Sequence, residues 1–298
     1  MTDAIFPGFE HRRLPGHGIA VDAAVGGSGP PLLLLHGWPQ TRMCWAAVAP
    51  ALAQDFTVVV PDLRGYGRSD KPDAGDDIAL YAKRTMALDQ VATMRALGFD
   101  RFAVAGHDRG GRVAYRLAFD HPDAVSRVAV LDIVPTADVW RDMDAEAAAR
   151  MWHWPMQAQT GGLPERLIGA DPAFFVRYIL GQQGGEHARF PEDHVADYIA
   201  CATPEAIHGW CQDYRAGWEV DRGIDEETRG QKIAAPLLVL WGEQGSLKGK
   251  DALAAWRGWA QDVEGTALPG GHFVPEEQPD AVIDQLRRFF AERNESAR

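Results

Sequence analysis

Short apolar runs alternate with segments of helical periodicity along most of the chain. The apolar runs occupy residues 32–35, 57–60, 102–105, 127–133 and 236–242, and a last strand ends at Leu268. Runs this short are typical of strands buried on both faces of a parallel sheet. Helical spacing predicts helices at 42–53, 81–97, 251–261 and 279–292. A further helix is predicted after the apolar run at 102–105 and ends at about residue 119. Residues 9–29 predict an antiparallel strand pair at the sheet edge. The alternation predicts an α/β fold with a mostly parallel central sheet flanked by helices.

The pattern changes between Val134 and Arg229. Tryptophan, alanine and acidic residues dominate there, and candidate helices lie at 138–153, 172–183, 191–201 and 204–215. Strand-like runs return only after this segment. We therefore predict a helical cap insertion at 135–226, placed over the strand ends of a core made of 1–134 and 227–298.

Composition limits the partners of this chain. A net charge of −12 argues against nucleic acid or an anionic membrane surface as a partner. The three cysteines lack the spacing of metal or redox sites and indicate a reducing compartment. Neither a signal peptide nor an apolar run of about 18 residues is visible. These features predict a soluble cytoplasmic protein, in which an anionic substrate needs local arginines to overcome the overall charge.

The sequence Gly106-His-Asp-Arg-Gly110 stands between an apolar run and a helical pattern. Strand, sharp turn and helix are the context of a nucleophile elbow, Gly-x-Nu-x-Gly, and Asp108 occupies the nucleophile position. Small residues at Gly106 and Gly110 allow a tight turn that lifts the central side chain into a cleft. The elbow therefore predicts a carboxylate nucleophile.

A nucleophile of this kind needs a histidine base and an acid that orients it. His272 follows the last predicted strand, in Pro-Gly-Gly-His-Phe. Two acids follow earlier strands, Asp132 and Glu243, and we favour Asp132 because its run ends cleanly in Leu-Asp-Ile-Val-Pro. Alternatively, Asp132 only caps the first helical turn of the insertion, and His272 is only a histidine in a surface loop.

An aspartate nucleophile predicts displacement at an alkyl carbon. A serine would form an ether, which activated water cannot hydrolyse, whereas Asp108 forms an alkyl ester whose carbonyl carbon water can attack. His272 then acts as base for water. The backbone N–H groups of Trp38 and Arg109 are predicted to form the oxyanion hole.

Arg109 and Arg112 lie three residues apart at the start of the elbow helix, so both point to the same side. Two guanidinium groups beside a carboxylate nucleophile indicate an anionic substrate whose carboxylate they bind. The alternative is that one of them simply pairs with Asp108 or another acid. Within the insertion, His153, Trp154 and Tyr214 offer hydrogen-bond donors for a leaving group, although such residues taken alone more often only pack.

Several motifs together resemble the fluoroacetate (haloacetate) dehalogenases of the α/β-hydrolase superfamily. They are Gly-His-Asp-Arg-Gly-Gly-Arg at 106–112, the His-Trp pair at 153–154, Asp-Tyr-Arg-Ala-Gly at 213–217 and Gly-Gly-His-Phe at 270–273. The resemblance implies an α/β-hydrolase fold, release of halide from a small 2-haloacid, a homodimer, and no metal or organic cofactor. Pro155 and Met156 depart from the bulkier residues expected after the pair, which predicts a reshaped halide pocket.

The family's site residues transfer to positions already singled out. The resemblance implies Asp108 as nucleophile, His272 as base, Asp132 as its partner, Arg109 and Arg112 as carboxylate ligands, and His153, Trp154 and Tyr214 as halide donors. An epoxide hydrolase is the nearest alternative, because it shares the Asp-His-Asp machinery. It would use two cap tyrosines, and an aromatic residue commonly follows its nucleophile. Paired arginines disfavour a haloalkane dehalogenase, and a catalytically silent carboxylate-binding protein is a further alternative.

Overall fold

The computed structural model describes residues 6–291, and an eight-stranded sheet lies at the centre of this part of the chain. The strands are β1 Phe9–Pro15, β2 Ala20–Gly26, β3 Pro31–Leu35, β4 Thr57–Pro61, β5 Phe102–His107, β6 Val125–Leu131, β7 Leu237–Gly242 and β8 Val263–Leu268. Their order across the sheet is β1-β2-β4-β3-β5-β6-β7-β8. Strand β2 is antiparallel to both of its neighbours, β1 and β4, and all other neighbouring strands are parallel, which confirms the predicted α/β architecture.

Helices cover the sheet and fill the connection between β6 and β7. They are α1 Ala49–Leu52, α2 Lys83–Ala96, α3 Arg109–Asp120, α4 Thr136–Arg141, α5 Ala145–Arg150, α6 His153–Gln157, α7 Leu163–Ala170, α8 Pro172–Gln183, α9 Glu192–Cys201, α10 Pro204–Ala216, α11 Arg222–Thr228, α12 Ala252–Arg257, α13 Val274–Glu277 and α14 Pro279–Ala291. Two 3₁₀ helices, Arg42–Trp45 and Ile78–Tyr81, precede α1 and α2. A π-helical turn, Gly217–Asp221, joins α10 to α11.

The central strands are apolar because both of their faces are covered. Leu32 to Leu35 of β3 and Leu237 to Leu240 of β7 are fully buried. Since parallel strands end at the same edge of the sheet, the loops after β3, β5, β6, β7 and β8 meet there. The candidate site lies at this edge.

The structure corrects several predicted element boundaries. Residues 42–53 form a 3₁₀ turn and the short α1 instead of one helix, and 138–153 is divided among α4, α5 and α6. The break between α4 and α5 has a local cause, because the carboxylate of Asp144 accepts a hydrogen bond from the Ala147 N–H and so caps the start of α5. The predicted strand at 127–133 ends at Leu131, so Asp132 lies in the turn that follows. Helices α7, α11 and α13 were not predicted.

No helix within residues 6–291 is both long and apolar enough to cross a membrane. The segment between β6 and β7 contains α4 to α11. The division into core and cap stays a prediction.

Candidate active site

The turn between β5 and α3 places Asp108 at the carboxyl edge of the sheet. Asp108 has φ +46°, a conformation that costs an L-residue on the order of 1–3 kcal/mol and is held only by surrounding structure. The turn tolerates no side chain at its flanks. A Cβ on Gly106 would lie 2.3 Å from the Gly110 carbonyl oxygen, and a Cβ on Gly110 would lie 2.5 Å from the Leu35 carbonyl oxygen. The two glycines are therefore required by close backbone contact.

His272 lies between two carboxylates. Its Nδ1 is 2.6 Å from Asp132 Oδ2, and its Nε2 is 4.0 Å from Asp108 Oδ1. All three side chains are buried. This arrangement orients the imidazole through Nδ1 and directs Nε2 toward the nucleophile position.

The structure pairs His272 with Asp132, whereas Glu243 is exposed. The loop after β7 instead binds the Asp132 carboxylate, because Gly242 N donates to Oδ1 and the Ser246 N–H and hydroxyl donate to Oδ2. The carboxylate does not cap the insertion, since α4 begins after Pro135 without a side-chain cap. Asp132 itself has φ +53°, a second strained residue at the site.

A backbone N–H group binds the second carboxylate oxygen of Asp108. The Trp38 N–H donates to Asp108 Oδ2 at 3.0 Å. Helix α3 begins at Arg109, so the Arg109 N–H has no partner within the helix. The arrangement can stabilise negative charge on Oδ2 and leaves Oδ1 on the side of His272.

Neighbouring charges set the protonation states of the pair. Burial by itself would raise the pKa of Asp108, but the charges of His272, His107 and the two arginines lower it below the usual 3.8. Burial would lower the pKa of His272, yet its hydrogen bond to Asp132 and the charges of Asp132 and Asp108 raise it above 6.5. Asp108 is therefore ionised at neutral pH.

Arg109 is buried and tied to an acid of the helical segment. Its Nε donates to Asp213 Oδ2 at 2.8 Å and its Nη2 to Asp213 Oδ1 at 2.7 Å. The guanidinium lies over the Tyr214 ring, 4.3 Å from the centroid. Within the described residues, its Nη1 is buried without a hydrogen-bond partner. Most of the Arg109 fork is therefore occupied, which agrees with the alternative that one arginine pairs with another acid, and binding of the substrate carboxylate by Arg109 stays a prediction.

Arg112 has a different environment. Its Nη1 donates to the Val134 carbonyl and the Thr136 hydroxyl, both at 3.1 Å, and its guanidinium lies 4.5 Å from the centroid of the Trp154 ring. Burial and the charge of Arg109 lower its pKa from the usual 12.5. In the part of the chain that the structure describes, Arg112 makes no ion pair and its Nε is buried without a partner. Arg112 thus offers both a charge and a donor to a bound anion.

A cavity of about 180 Å³ opens beside Asp108 and is smaller than most ligand pockets, which hold about 300–1,000 Å³. Its lining comes from the strand-end loops and the helical segment: Asp108, Arg112, Asp132, Arg150, Met151, His153, Trp154, Gln182, Gln183, Gln244, Gly245, Ser246 and His272. Among the described residues, this lining includes neither Pro155 nor Met156. The absence of the bulkier residues expected at those positions therefore changes the shape of the cavity at most indirectly. Arg109 and Tyr214 lie next to the cavity without lining it.

The predicted leaving-group donors cluster in space. His153 stacks on the Trp38 ring with centroids 5.2 Å apart, and Tyr214 packs edge-on against both His153 and Trp154. Burial lowers the pKa of His153 to about 3, so its imidazole is neutral. Its Nδ1 is buried and without a partner in the described part of the chain. His153 can therefore serve as a neutral hydrogen-bond donor to an anion.

A family model of the alpha/beta hydrolase fold matches residues 30–279. The chain belongs to the alpha/beta-hydrolase family. It is 43% identical over 291 residues to a fluoroacetate dehalogenase from Burkholderia sp, covering 97% of this chain and 96% of that protein. It is 38% identical over 289 residues to a soluble epoxide hydrolase from Corynebacterium sp. (strain C12), covering 94% and 97%. The resemblance seen in the motifs is confirmed, and both activities occur among the relatives.

A solved structure agrees with this assignment. An alpha/beta-hydrolase-fold protein from Nostoc sp PCC 7120 superposes on this hydrolase with a TM-score of 0.95 at 45% identity. The alignment covers 97% of this chain and all of that one. The fold and the hydrolase class are thus shown.

Two positioning contacts of this hydrolase were missed by sequence reasoning. Ser246 holds Asp132 through both its N–H and its hydroxyl, and no local motif marks a serine in a loop as such a partner. His107 Nε2 lies 2.8 Å from the His272 carbonyl oxygen, which ties the His272 loop to the elbow. His107 directly precedes Asp108, so its place in the elbow motif was the sequence signal that could have indicated this contact.

Proposed function

We propose that this hydrolase removes halide from a small 2-haloacid, such as a haloacetate, to give the 2-hydroxy acid. One observation carries the proposal: beside a carboxylate nucleophile, two buried guanidinium groups, on Arg109 and Arg112, each have a nitrogen without a protein partner. Buried charged donors are costly unless an anion pairs with them. A substrate carboxylate supplies that anion and places its α-carbon against Asp108.

In the first step Asp108 Oδ1 attacks the α-carbon as the carbon–halogen bond breaks. Oδ1 is the attacking oxygen because Oδ2 is bound by the Trp38 N–H. The electron pair of the broken bond leaves with the halide, and an ester of Asp108 forms. His153, Trp154 and Tyr214 surround the position of the departing halide, where the neutral His153 donates through Nδ1.

In the second step water attacks the ester carbonyl carbon of Asp108. His272 Nε2 accepts a proton from that water, and Asp132 stabilises the imidazolium through Nδ1. The Trp38 and Arg109 N–H groups hold the oxyanion on Oδ2. Collapse of the intermediate breaks the ester bond, and the leaving oxygen takes the proton from His272 to give the 2-hydroxy acid. Asp108 is left as a carboxylic acid, and release of its proton to solvent restores the carboxylate, so one proton and one halide leave per turnover.

The steady-state rate is expected to rise with pH through the titration of His272, because only the neutral imidazole accepts a proton from water. The pKa of free His272 lies above 6.5, partly because of the Asp108 charge, and ester formation removes that charge. As the pH falls through the titration of His272, turnover should fall while the first halide per enzyme is still released, since Asp108 stays ionised. Rapid-quench halide assays separate the two phases, and a first phase that falls in parallel with turnover contradicts the assignment.

Epoxide hydrolysis is the second candidate, favoured by the 38% identical Corynebacterium relative. It needs acidic donors that protonate an epoxide oxygen, and a pair of cap tyrosines is the expected arrangement. Here Tyr214 packs beside a neutral His153, and two buried arginines border the site. A neutral epoxide would leave the Arg112 guanidinium without an anion, since of the two only Arg109 is paired with a described acid.

A substrate panel tests the two candidates directly. We expect chloride from chloroacetate, fluoride from fluoroacetate at an equal or lower rate, and no diol from styrene oxide. The Asp108→Asn variant is the matched control, because it keeps the size of the side chain and removes the nucleophile. If styrene oxide gives a diol and no haloacetate releases halide, dehalogenation is rejected in favour of epoxide hydrolysis.

Three further features belong to this proposal. We propose that residues 135–226 act as the cap that closes the cavity, since His153, Trp154 and Gln183 of this segment line it. A cytoplasmic location is proposed from the cysteine content. A homodimer is proposed from the resemblance alone, and light scattering tests it.

A further inference from the structure

Asp213 is the common acceptor of a buried cluster next to the cavity. Its carboxylate binds Arg109 in bidentate fashion, pairs with Lys83 Nζ at the start of α2, and accepts the Tyr66 hydroxyl at 2.7 Å. The side chains of Asp213, Lys83 and Arg109 are all at most 1% exposed. Burial would raise the pKa of Asp213, but Arg109 and Lys83 hold it well below its usual range.

The π-helical turn after α10 completes this cluster. Its last residue, Asp221, accepts the Lys83 N–H at 2.8 Å and lies 3.5 Å from Lys83 Nζ. Its first residue, Gly217, lies against the guanidinium, where a Cβ would be 3.4 Å from Arg109 Nη2. Single π turns are frequent at functional sites. Here the turn brings an acid to Lys83 and a residue without a side chain to Arg109.

The formal charges of the cluster cancel. Lys83 and Arg109 carry two positive charges, and Asp213 and Asp221 carry two negative ones, so the charge of Arg109 is already compensated inside the protein. Among the described residues, the Arg112 guanidinium donates hydrogen bonds only to the neutral oxygens of Val134 and Thr136. The two arginines therefore differ in what they offer a bound anion.

We propose that Asp213 is a positioning residue for the substrate carboxylate, fixing Arg109 so that one nitrogen is presented, while Arg112 supplies the uncompensated charge. The inference rests on the proposed carboxylate substrate. Arg109 fixes the orientation of the bound carboxylate, because a guanidinium held at two nitrogens has little freedom to turn. Held by Asp213, it also does not pair with Asp108, which leaves the nucleophile unblocked.

The test removes the positioning contact at constant charge. Asp213→Asn alone would leave the buried Lys83 with only Asp221 as an acid and add a net positive charge that attracts anions. The double variant Lys83→Met/Asp213→Asn removes one charge of each sign. The matched control is Arg64→Met/Asp89→Asn, since Asp89 binds Arg64 in the same bidentate way in an equally buried pair without contacting Arg109.

We expect the double variant to raise the KM for chloroacetate about tenfold, with kcat changed less than about threefold. The Kd for acetate, followed by tryptophan fluorescence, is expected to rise by a similar factor, and the Kd for acetamide to stay unchanged. The control should lose thermal stability to a similar degree and keep both acetate affinity and KM. A merely structural role of Asp213 predicts the same result for both double variants.

The outcomes separate this inference from the proposed reaction. Unchanged acetate affinity in the double variant, or no acetate binding by the wild-type protein, overturns the role of Asp213. If the wild type binds acetate and releases no halide from any haloacetate, the reaction is wrong, and a tenfold loss of acetate affinity still supports Asp213. Should the double variant not fold, Asp213→Glu keeps the charge and displaces the guanidinium, so the same loss of acetate affinity is expected.

Discussion

Replacing His272 with asparagine is expected to leave an enzyme that releases one halide per active site and then stops. Halide departure needs only Asp108, whereas hydrolysis of the ester needs the base that faces it from 4.0 Å. General-base assistance of this kind contributes on the order of 10²–10⁴ in rate, so steady-state turnover should fall by that factor. Intact-protein mass spectrometry after exposure to chloroacetate should show one added carboxymethyl group, which peptide mapping places on Asp108.

The control for this experiment is the double variant Asp108→Asn/His272→Asn. It lacks the nucleophile, so it should give neither the first halide nor the mass increase. A His272→Asn enzyme that turns over at the wild-type rate would show that another group is the base. An adduct on any other residue would reject Asp108 as the nucleophile.

Replacing Arg112 with leucine is expected to produce the second large effect, a loss of substrate binding. Arg112 is the guanidinium whose charge no described acid pairs with, and it lines the cavity. Removing one partner of a buried charge pair costs about 2–5 kcal/mol. The kcat/KM for chloroacetate should therefore fall roughly 30- to 5,000-fold, mostly through KM, as measured by chloride release.

Arg116 offers a matched control for this variant. It lies one turn further along α3 and is similarly buried, but its guanidinium pairs with Asp120 outside the cavity. Arg116→Leu should lower the melting temperature and leave the KM for chloroacetate unchanged. Equal losses of kcat/KM in the two variants would mean that Arg112 acts through stability alone.

The order of strands and loops was predictable because its signals are local. Apolar runs of strand length, the glycines of the elbow and the return of strand-like runs after 229 are each readable within a few residues. Boundaries inside the helical segment were less predictable. The break before α5 depends on a single side-chain cap at Asp144.

The choice between Asp132 and Glu243 shows where local patterns end. Both residues follow strands that end at the same edge of the sheet, so the sequence favours one only by its context. In the structure the loop that carries Glu243 turns its backbone N–H groups toward Asp132. A Cβ on Gly245 would lie 2.6 Å from Asp132 Oδ1, so this loop packs directly on the carboxylate.

The sequence by itself predicted the fold class, an aspartate at the nucleophile position of an elbow and the set of side chains available to the site, because strand runs, turn glycines and the elbow act over short distances. Only the tertiary structure decided how two arginines three residues apart differ. Arg109 meets its acid 104 residues away on a helix of the insertion, and Arg112 meets none. Ion pairs between distant elements depend on how those elements pack, and packing is a property of the whole chain.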